Sequence, residues 1–174
     1  MADGILSAAA RHAVNMTLAY VIARGSKDTR TKVGAIVIGP DNEIRSAGHN
    51  GFPRGLDDDV EDRLATPEKH YWFEHAERNA IYNAARMGLS LKGCVMFTQG
   101  LPCVYCARAI VQAGIVKVVI HKPWNDLNTD PQHRTMEMFA ECGVEIEEWA
   151  GALLSVIGWR DGQQEDSVTT PDAG

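Results

Sequence analysis

Hydrophobic and polar positions divide the chain into helical and strand-like segments in the order α-β-β-α-β-α-β-α-β. Apolar residues recur at helical spacing in "ILSAAARHAVNMTLAYVIARG", which ends at Gly25, a residue suited to a helix C-cap. The short apolar runs "VGAIVIG" and "IRSAGHN" flank the turn-forming "PDNE". This arrangement predicts a helix followed by a β-hairpin.

The second half of the pattern alternates helices with strands. Helical spacing spans residues 75–87 and recurs in "PCVYCARAIVQAG" and "PQHRTMEMFAECG". The segments "GCVMFTQ", "IVKVVIH" and "VEIEEWA" have the length and residue types of strands. The pattern predicts one mixed sheet with helices on both faces, and parallel strands in the β-α-β units from residue 94 onward.

Between the hairpin and the second helix lies a long polar connection at residues 50–70, with two Pro, two Gly and an acidic run. Such a connection is either a solvated surface loop or a functional segment, and both interpretations stay open. We expect the acidic side chains of residues 57–62 to face solvent, and a divalent-ion site is the alternative. The length predicts a single domain over residues 1–162, and the polar composition predicts a disordered tail over residues 163–174.

Charge and composition narrow the class of protein. The net charge is −6 and the isoelectric point is about 5.5, which argues against a nucleic-acid-binding surface. The N-terminus lacks a basic n-region and carries Asp3, and the uncharged stretch after it is too short to span a bilayer. We therefore expect a cytoplasmic protein with no membrane partner, whose four cysteines are thiols or metal ligands.

Cys103 and Cys106 lie three residues apart at the predicted start of a helix, in "PCVYC". Both sulfur atoms then lie on one side of the first turn, where backbone N–H groups and the helix dipole favour the thiolate. This is half of a tetrahedral zinc site. A C-x-x-C pair alone is also typical of a redox dithiol or of chance.

A third candidate ligand comes from "EHAERNA", where His75 stands at another predicted helix start. Three protein ligands leave the fourth zinc position open, as in catalytic sites. Glu77 is suited to carry protons there if it stays off the metal. The alternative is an ordinary charged first turn beside two core thiols.

The joint pattern H-A-E…P-C-x-x-C is the zinc deaminase signature, with His and two Cys as ligands and Glu as general acid/base. Around it, "SKDTRTKVGAIVI", "GHNGFPRG", the acidic insertion, "GCVMFTQGLPCVYCARAIVQAGIVKVVI" and "AECGVEI" follow in order. Over residues 15–147 the chain resembles deoxycytidylate deaminases, within the zinc-dependent cytidine/deoxycytidylate deaminase family.

The resemblance implies a three-layer α/β/α cytidine-deaminase-like fold with about five strands in a mixed sheet. It implies hydrolytic deamination of a small-molecule nucleotide, dCMP to dUMP plus ammonia, by a homo-oligomer of two to six chains. The site residues that it implies are His75, Cys103 and Cys106 for one Zn²⁺, Glu77 as proton shuttle, Asn50 for the sugar, Ala76 for the base, and Ser26, Lys27 and Arg30 near the phosphate. Pro102 is a further candidate for substrate binding, and Trp124 is either a substrate lid or a packing residue.

The chain also departs from the family pattern. His49 stands where the family usually has Tyr, Gly25 stands where it has Arg, and Trp124-Asn125 replaces a Tyr-His pair of effector-regulated members. These differences leave regulation by nucleotides open. They also leave open a different amino-heterocycle as substrate, such as guanine, a pterin or a 5-substituted dCMP.

Overall fold

The computed structural model describes residues 7–121 and 131–155, and the backbone alone of residues 130, 158–160 and 163–165. Its helices are α1 (Ala8–Ala23), α2 (Lys69–Trp72), α3 (Ala76–Arg86), α4 (Val104–Gln112) and α5 (Asp130–Cys142). Its strands are β1 (Gly34–Ile38), β2 (Ile44–His49), β3 (Val95–Thr98), β4 (Lys117–His121), β5 (Glu145–Trp149), β6 (Gly158–Arg160) and β7 (Gln163–Glu165). The predicted order of helices and strands is confirmed in the described residues, and the structure adds the short helix α2 at the end of the long connection.

The first five strands form one sheet in the order β2-β1-β3-β4-β5. Strand β1 runs antiparallel to both of its neighbours, β2 and β3. Strands β3, β4 and β5 are parallel, since helices α4 and α5 cross between them. The predicted five-stranded mixed sheet is confirmed.

Side chains of β1 alternate between the two faces of the sheet and enter two separate hydrophobic clusters. Ala35 and Val37 join the cluster formed with α3, α4 and α5, which includes Ala80, Ile110 and Phe139. On the other face, Ile36 and Ile38 pack with Met16 and Ala19 of α1 and with Phe97 and Val119 of the sheet. The fold therefore has three layers, with α1 on one side and α3 to α5 on the other.

Residues 50–70 have structure of their own. A 3-10 turn spans Glu61–Arg63, and α2 begins at Lys69. Backbone hydrogen bonds in both directions between Gly51 and Glu74, at 3.0 and 2.8 Å, close the base of the segment. The rings of Phe52 and Phe73 pack there at a tilt of 58°, with centroids 4.4 Å apart. The long connection is thus anchored directly before α3.

Strands β6 and β7 pair with each other, so β7 includes the first residues of the predicted tail. Residues 166–174 lie outside the described residues, and the domain boundary stays a prediction. Among the helices of the described residues, none has the length and apolar character needed to cross a membrane.

Candidate active site

The chemistry-bearing residues stand at the N-termini of two helices on the same face of the sheet. His75 is the N-cap residue of α3 and Cys103 is the N-cap residue of α4, both with extended backbone. Neither side chain makes the N-cap hydrogen bond that Ser, Thr, Asp and Asn commonly make. The side chains of His75 and Cys103 can therefore approach each other between the two helix N-termini.

His75, Cys103 and Cys106 converge on that centre. The Nδ1 atom of His75 lies 3.5 Å from each of the two sulfur atoms, and the sulfur atoms lie 3.6 Å apart. Tetrahedral zinc with its usual bond lengths would place sulfur atoms about 3.8 Å apart and sulfur and nitrogen about 3.6 Å apart. The three ligand atoms therefore fit one zinc ion with almost no rearrangement.

The protonation of this cluster is uneven in the metal-free protein. A hydrogen bond from Cys106 lowers the pKa of Cys103 to about 3 against the opposing effect of burial, and a hydrogen bond with His75 adds to the lowering. The same Cys–Cys hydrogen bond, together with burial, raises the pKa of Cys106. One proton is thus held between two sulfur atoms, and a metal ion binding to both would release it.

Glu77 lies in the first turn of α3, beside the cluster but separate from the three convergent ligand atoms. Its side chain is only 5% exposed, and its Oε2 atom lies 3.7 Å from the sulfur atom of Cys106. Burial raises the pKa of Glu77 above the ordinary value for a glutamate. A carboxyl group in this position is a candidate to accept a proton and return it.

A cavity of about 330 Å³ reaches this cluster and is lined by His75, Glu77 and Cys103. Two further residues singled out in the sequence, Asn50 and Ala76, also line it. The side-chain amide of Asn50 uses its oxygen and its nitrogen in hydrogen bonds within the protein. Its oxygen accepts from the Val33 N–H at 2.8 Å, and its nitrogen donates to the Thr31 carbonyl at 2.9 Å and to Asp28 at 3.3 Å.

Four of the other residues predicted to contact substrate do not line this cavity. Ser26 is buried and accepts from the Asp28 N–H, Lys27 pairs with Asp58 at 2.9 Å, and Arg30 donates to the Thr66 hydroxyl at 3.3 Å. Pro102 is buried, and its carbonyl accepts from Thr135. Trp124 lies outside the described residues. In the described part of the chain, Ser26, Lys27, Arg30 and Pro102 do not line the cavity, and their contacts with substrate stay predictions.

Sequence reasoning missed Asp28 and Lys69, which both line the cavity. Their side chains form a buried ion pair, with Lys69 Nζ 2.8 Å from Asp28 Oδ2. The two residues are 41 positions apart, and no motif links them. The local signal for Asp28 is its place in the segment "SKDTRTK", whose Lys27 and Arg30 are the residues that the resemblance implies near the phosphate.

Two of the departures from the family pattern are neighbours in space. A Cβ atom on Gly25 would lie 2.8 Å from Cδ2 and 3.0 Å from Nε2 of the His49 ring. The small residue at position 25 therefore leaves the room that the ring at position 49 occupies. The two differences belong together as one local change in packing.

Comparison with known proteins agrees with this geometry. The family model for the "cytidine and deoxycytidylate deaminase zinc-binding region" matches residues 10–122. The chain belongs to this family. The matched residues include the His/Cys/Cys group, whose geometry fits zinc.

Individual relatives agree with the assignment of the chain to this family. Human deoxycytidylate deaminase is 40% identical over 111 residues, an alignment covering 60% of this chain and 60% of that protein. The deoxycytidylate deaminase of phage T4 is 32% identical, with coverage of 84% and 93%. The chain spans about 60% of the length of the first curated relatives that it matches.

Among solved structures, dCMP deaminase from the cyanophage S-TIM5, in complex with dCMP and dUMP, superimposes with a TM-score of 0.67. It is 30% identical, and the alignment covers 83% of this chain and all of that one. The three-layer cytidine-deaminase-like fold expected from the sequence is confirmed by this likeness.

Proposed function

We propose that the protein converts dCMP and water to dUMP and ammonia. The observation that carries this proposal is the convergence of His75, Cys103 and Cys106 beside a buried Glu77 at the wall of one cavity. Relatives that are deoxycytidylate deaminases, and a similar structure bound to dCMP and dUMP, support the choice of substrate.

The three ligand groups would hold one zinc ion. Cys103 and Cys106 bind it as thiolates, and His75 binds it through Nδ1, the atom that faces both sulfur atoms. When bound with an open fourth position, zinc supplies a water whose pKa is lowered to about 7 and which is therefore nucleophilic at neutral pH.

Glu77 moves the protons of the reaction. Its carboxylate accepts a proton from the attacking water and delivers it to N3 of the cytosine ring, as oxygen bonds to C4. It then carries the remaining proton of the C4 hydroxyl to the exocyclic amine, and the C4–N4 bond breaks to release ammonia and leave the C4 carbonyl of dUMP. Burial suits the first step, because it raises the pKa of Glu77 and so makes its carboxylate a stronger base toward the attacking water.

Other cavity residues orient the substrate and exclude water. Ala76 begins α3 between the predicted ligand and the predicted proton carrier, where its backbone can meet the base. Phe73 and Leu101 add apolar wall to the same cavity. A ring held against this wall within about 3–3.5 Å of the nucleophile is placed for attack.

A substrate panel tests the proposed reaction. The zinc-loaded protein is assayed for ammonia release from dCMP, deoxycytidine, cytosine, 5-methyl-dCMP, guanine and a pterin. We expect the highest kcat/KM with dCMP. A higher kcat/KM for a free base than for dCMP would favour another amino-heterocycle as the substrate. It would contradict the proposed nucleotide substrate.

The role of Glu77 is tested by Glu77→Gln, which keeps the shape of the side chain and removes its basic oxygen. We expect zinc content near one ion per chain, an unchanged melting temperature, and kcat lowered about 10²–10⁴-fold. Glu141→Gln is the matched control, because Glu141 is exposed on α5. Wild-type kcat in the Glu77 variant would remove Glu77 from the mechanism.

A further inference from the structure

The phosphate of the proposed substrate needs a cation, and the cavity has few. Of the lysines and arginines in the described residues, Lys69 alone lines it. Three acidic residues, Asp28, Glu74 and Glu77, also line the cavity and would repel an anion. Resting on the proposed function, we propose that Lys69 binds the phosphate of the nucleotide and so determines selectivity for monophosphates.

Lys69 is held in place and still has hydrogen-bond donors to give. Its side chain is 14% exposed, and its ammonium lies 2.8 Å from Asp28 Oδ2, its only ion-pair partner among the described residues. An ammonium group carries three N–H donors, so two remain available at the cavity wall. Holding the side chain in advance reduces the entropy lost when it binds an anion.

Asp28 acts as the support for Lys69 and offers little to a ligand itself. Its Oδ1 atom accepts from the N–H groups of Arg30 and Thr31, at 2.9 and 3.2 Å. Its Oδ2 atom accepts from Lys69 and Asn50. With both oxygens engaged, the carboxylate orients Lys69 and neutralises part of its charge, and the free N–H groups of Lys69 remain for substrate.

Neighbouring groups can complete the phosphate site. The donors of Asn50 are already engaged by Thr31 and Asp28, so Asn50 cannot replace Lys69 as a donor. Thr31 and His70 line the same cavity with exposed side chains, and a hydroxyl or an imidazole N–H can donate to a phosphate oxygen. The cations expected from the sequence to contact phosphate, Lys27 and Arg30, lie outside this wall.

The test compares ligands that differ only in the phosphate. Calorimetry on the zinc-loaded full chain gives Kd for dUMP and for deoxyuridine, in the wild type, Lys69→Gln and Lys69→Arg. We expect Lys69→Gln to weaken dUMP binding about tenfold to a hundredfold, the range for a charged hydrogen bond, and to leave deoxyuridine binding unchanged. Lys69→Arg should recover part of the loss, and KM for dCMP should follow Kd.

Lys92→Gln is the matched control, since Lys92 is exposed and does not line the cavity. Equal loss of dUMP and deoxyuridine binding in Lys69→Gln would mean a structural role only and overturn the proposal, as would unchanged dUMP binding. A wild type that binds both ligands equally would overturn it too. A wild type that shows the expected dUMP preference but releases no ammonia from dCMP would contradict the proposed function alone.

Discussion

At the scale of single residues, Asp28 ties three segments of the chain together. Its carboxylate accepts from the backbone of its own loop, from Asn50 after β2 and from Lys69 in α2. Burial by itself raises the pKa of this carboxyl, but the hydrogen bonds from Lys69, Arg30 and Thr31 outweigh burial and hold the pKa below its ordinary value. The ionised form is therefore the one that stabilises the fold.

The pH dependence of stability follows from this shift. Since the folded pKa lies below the unfolded value of about 3.9, Asp28 stabilises the protein above that value, and the stabilisation is lost as pH falls through the folded pKa. Asp28→Asn should lower the free energy of unfolding relative to wild type by more at about pH 6 than at about pH 3.

Urea unfolding at both pH values measures this difference. Asp41→Asn, an exposed turn substitution with the same change of charge, is the control. If the difference in free energy of unfolding between wild type and Asp28→Asn stays constant with pH, the ionised Asp28 carboxylate is not what stabilises the fold.

At the scale of elements, α3 is docked on the edge strand β2 by polar contacts as well as by apolar ones. Asn79 donates to the His49 carbonyl at 2.8 Å, Asn83 to the Ala47 carbonyl at 2.6 Å, and the Ser46 hydroxyl to the Ala80 carbonyl at 2.7 Å. Because Asn79 and Asn83 are four apart, they share one face of the helix. That face turns toward the sheet, which a hydrophobic pattern could not predict.

Close approach at Gly48 makes this docking possible. A Cβ atom there would lie 2.4 Å from the backbone nitrogen of Ala80 and 2.8 Å from the carbonyl oxygen of Ala76. Gly48→Ala must therefore push α3 away from β2 and displace His75 and Glu77 with it. We expect a loss of about 3 kcal/mol in the free energy of unfolding, the upper end for overpacking, and a lower kcat.

Chemical denaturation and the ammonia assay check this prediction together. In Gly51→Ala the added Cβ would be 3.6 Å from the His49 ring, an ordinary contact, so this control should keep most of its stability. Equal stability of the two variants would show that the helix does not depend on the contact at position 48.

At the scale of the whole molecule, the two faces of the sheet are covered unequally. Three helices cover one face, whereas α1 is the helix packed on the other in the described residues, through a smaller cluster centred on Met16. The Met16 side chain is fully buried between α1 and the sheet. Stability of that face should therefore depend strongly on a few side chains.

Met16→Ala should lower the free energy of unfolding by about 2–5 kcal/mol, the range for removing a large buried side chain. Val21→Ala, on the same helix but 47% exposed, should change it by less than about 0.5 kcal/mol. Thermal and urea unfolding compare the two variants directly. A similar small effect of both would mean that α1 adds little to the stability of the core.

The sequence was sufficient for the order of elements, the mixed sheet and the pairing of "EHAERNA" with "PCVYC". The order of elements and the sheet depend on local periodicity, because backbone geometry repeats every 3.6 residues in a helix and every two in a strand. The two motifs are 28 positions apart, and their pairing follows from the resemblance to the zinc deaminase signature together with the predicted helix starts.

Tertiary structure alone decided which polar side chains face the cavity. Segment "SKDTRTK" points Lys27 toward the acidic insertion and Arg30 toward Thr66, while Asp28 turns inward to meet Lys69. Such choices depend on contacts between residues far apart in the chain, where burial and charge pairing compete. Periodicity carries no information about that competition. The sequence therefore indicated the His/Cys/Cys group and Glu77, whereas only the tertiary structure showed that Lys69 lines the cavity.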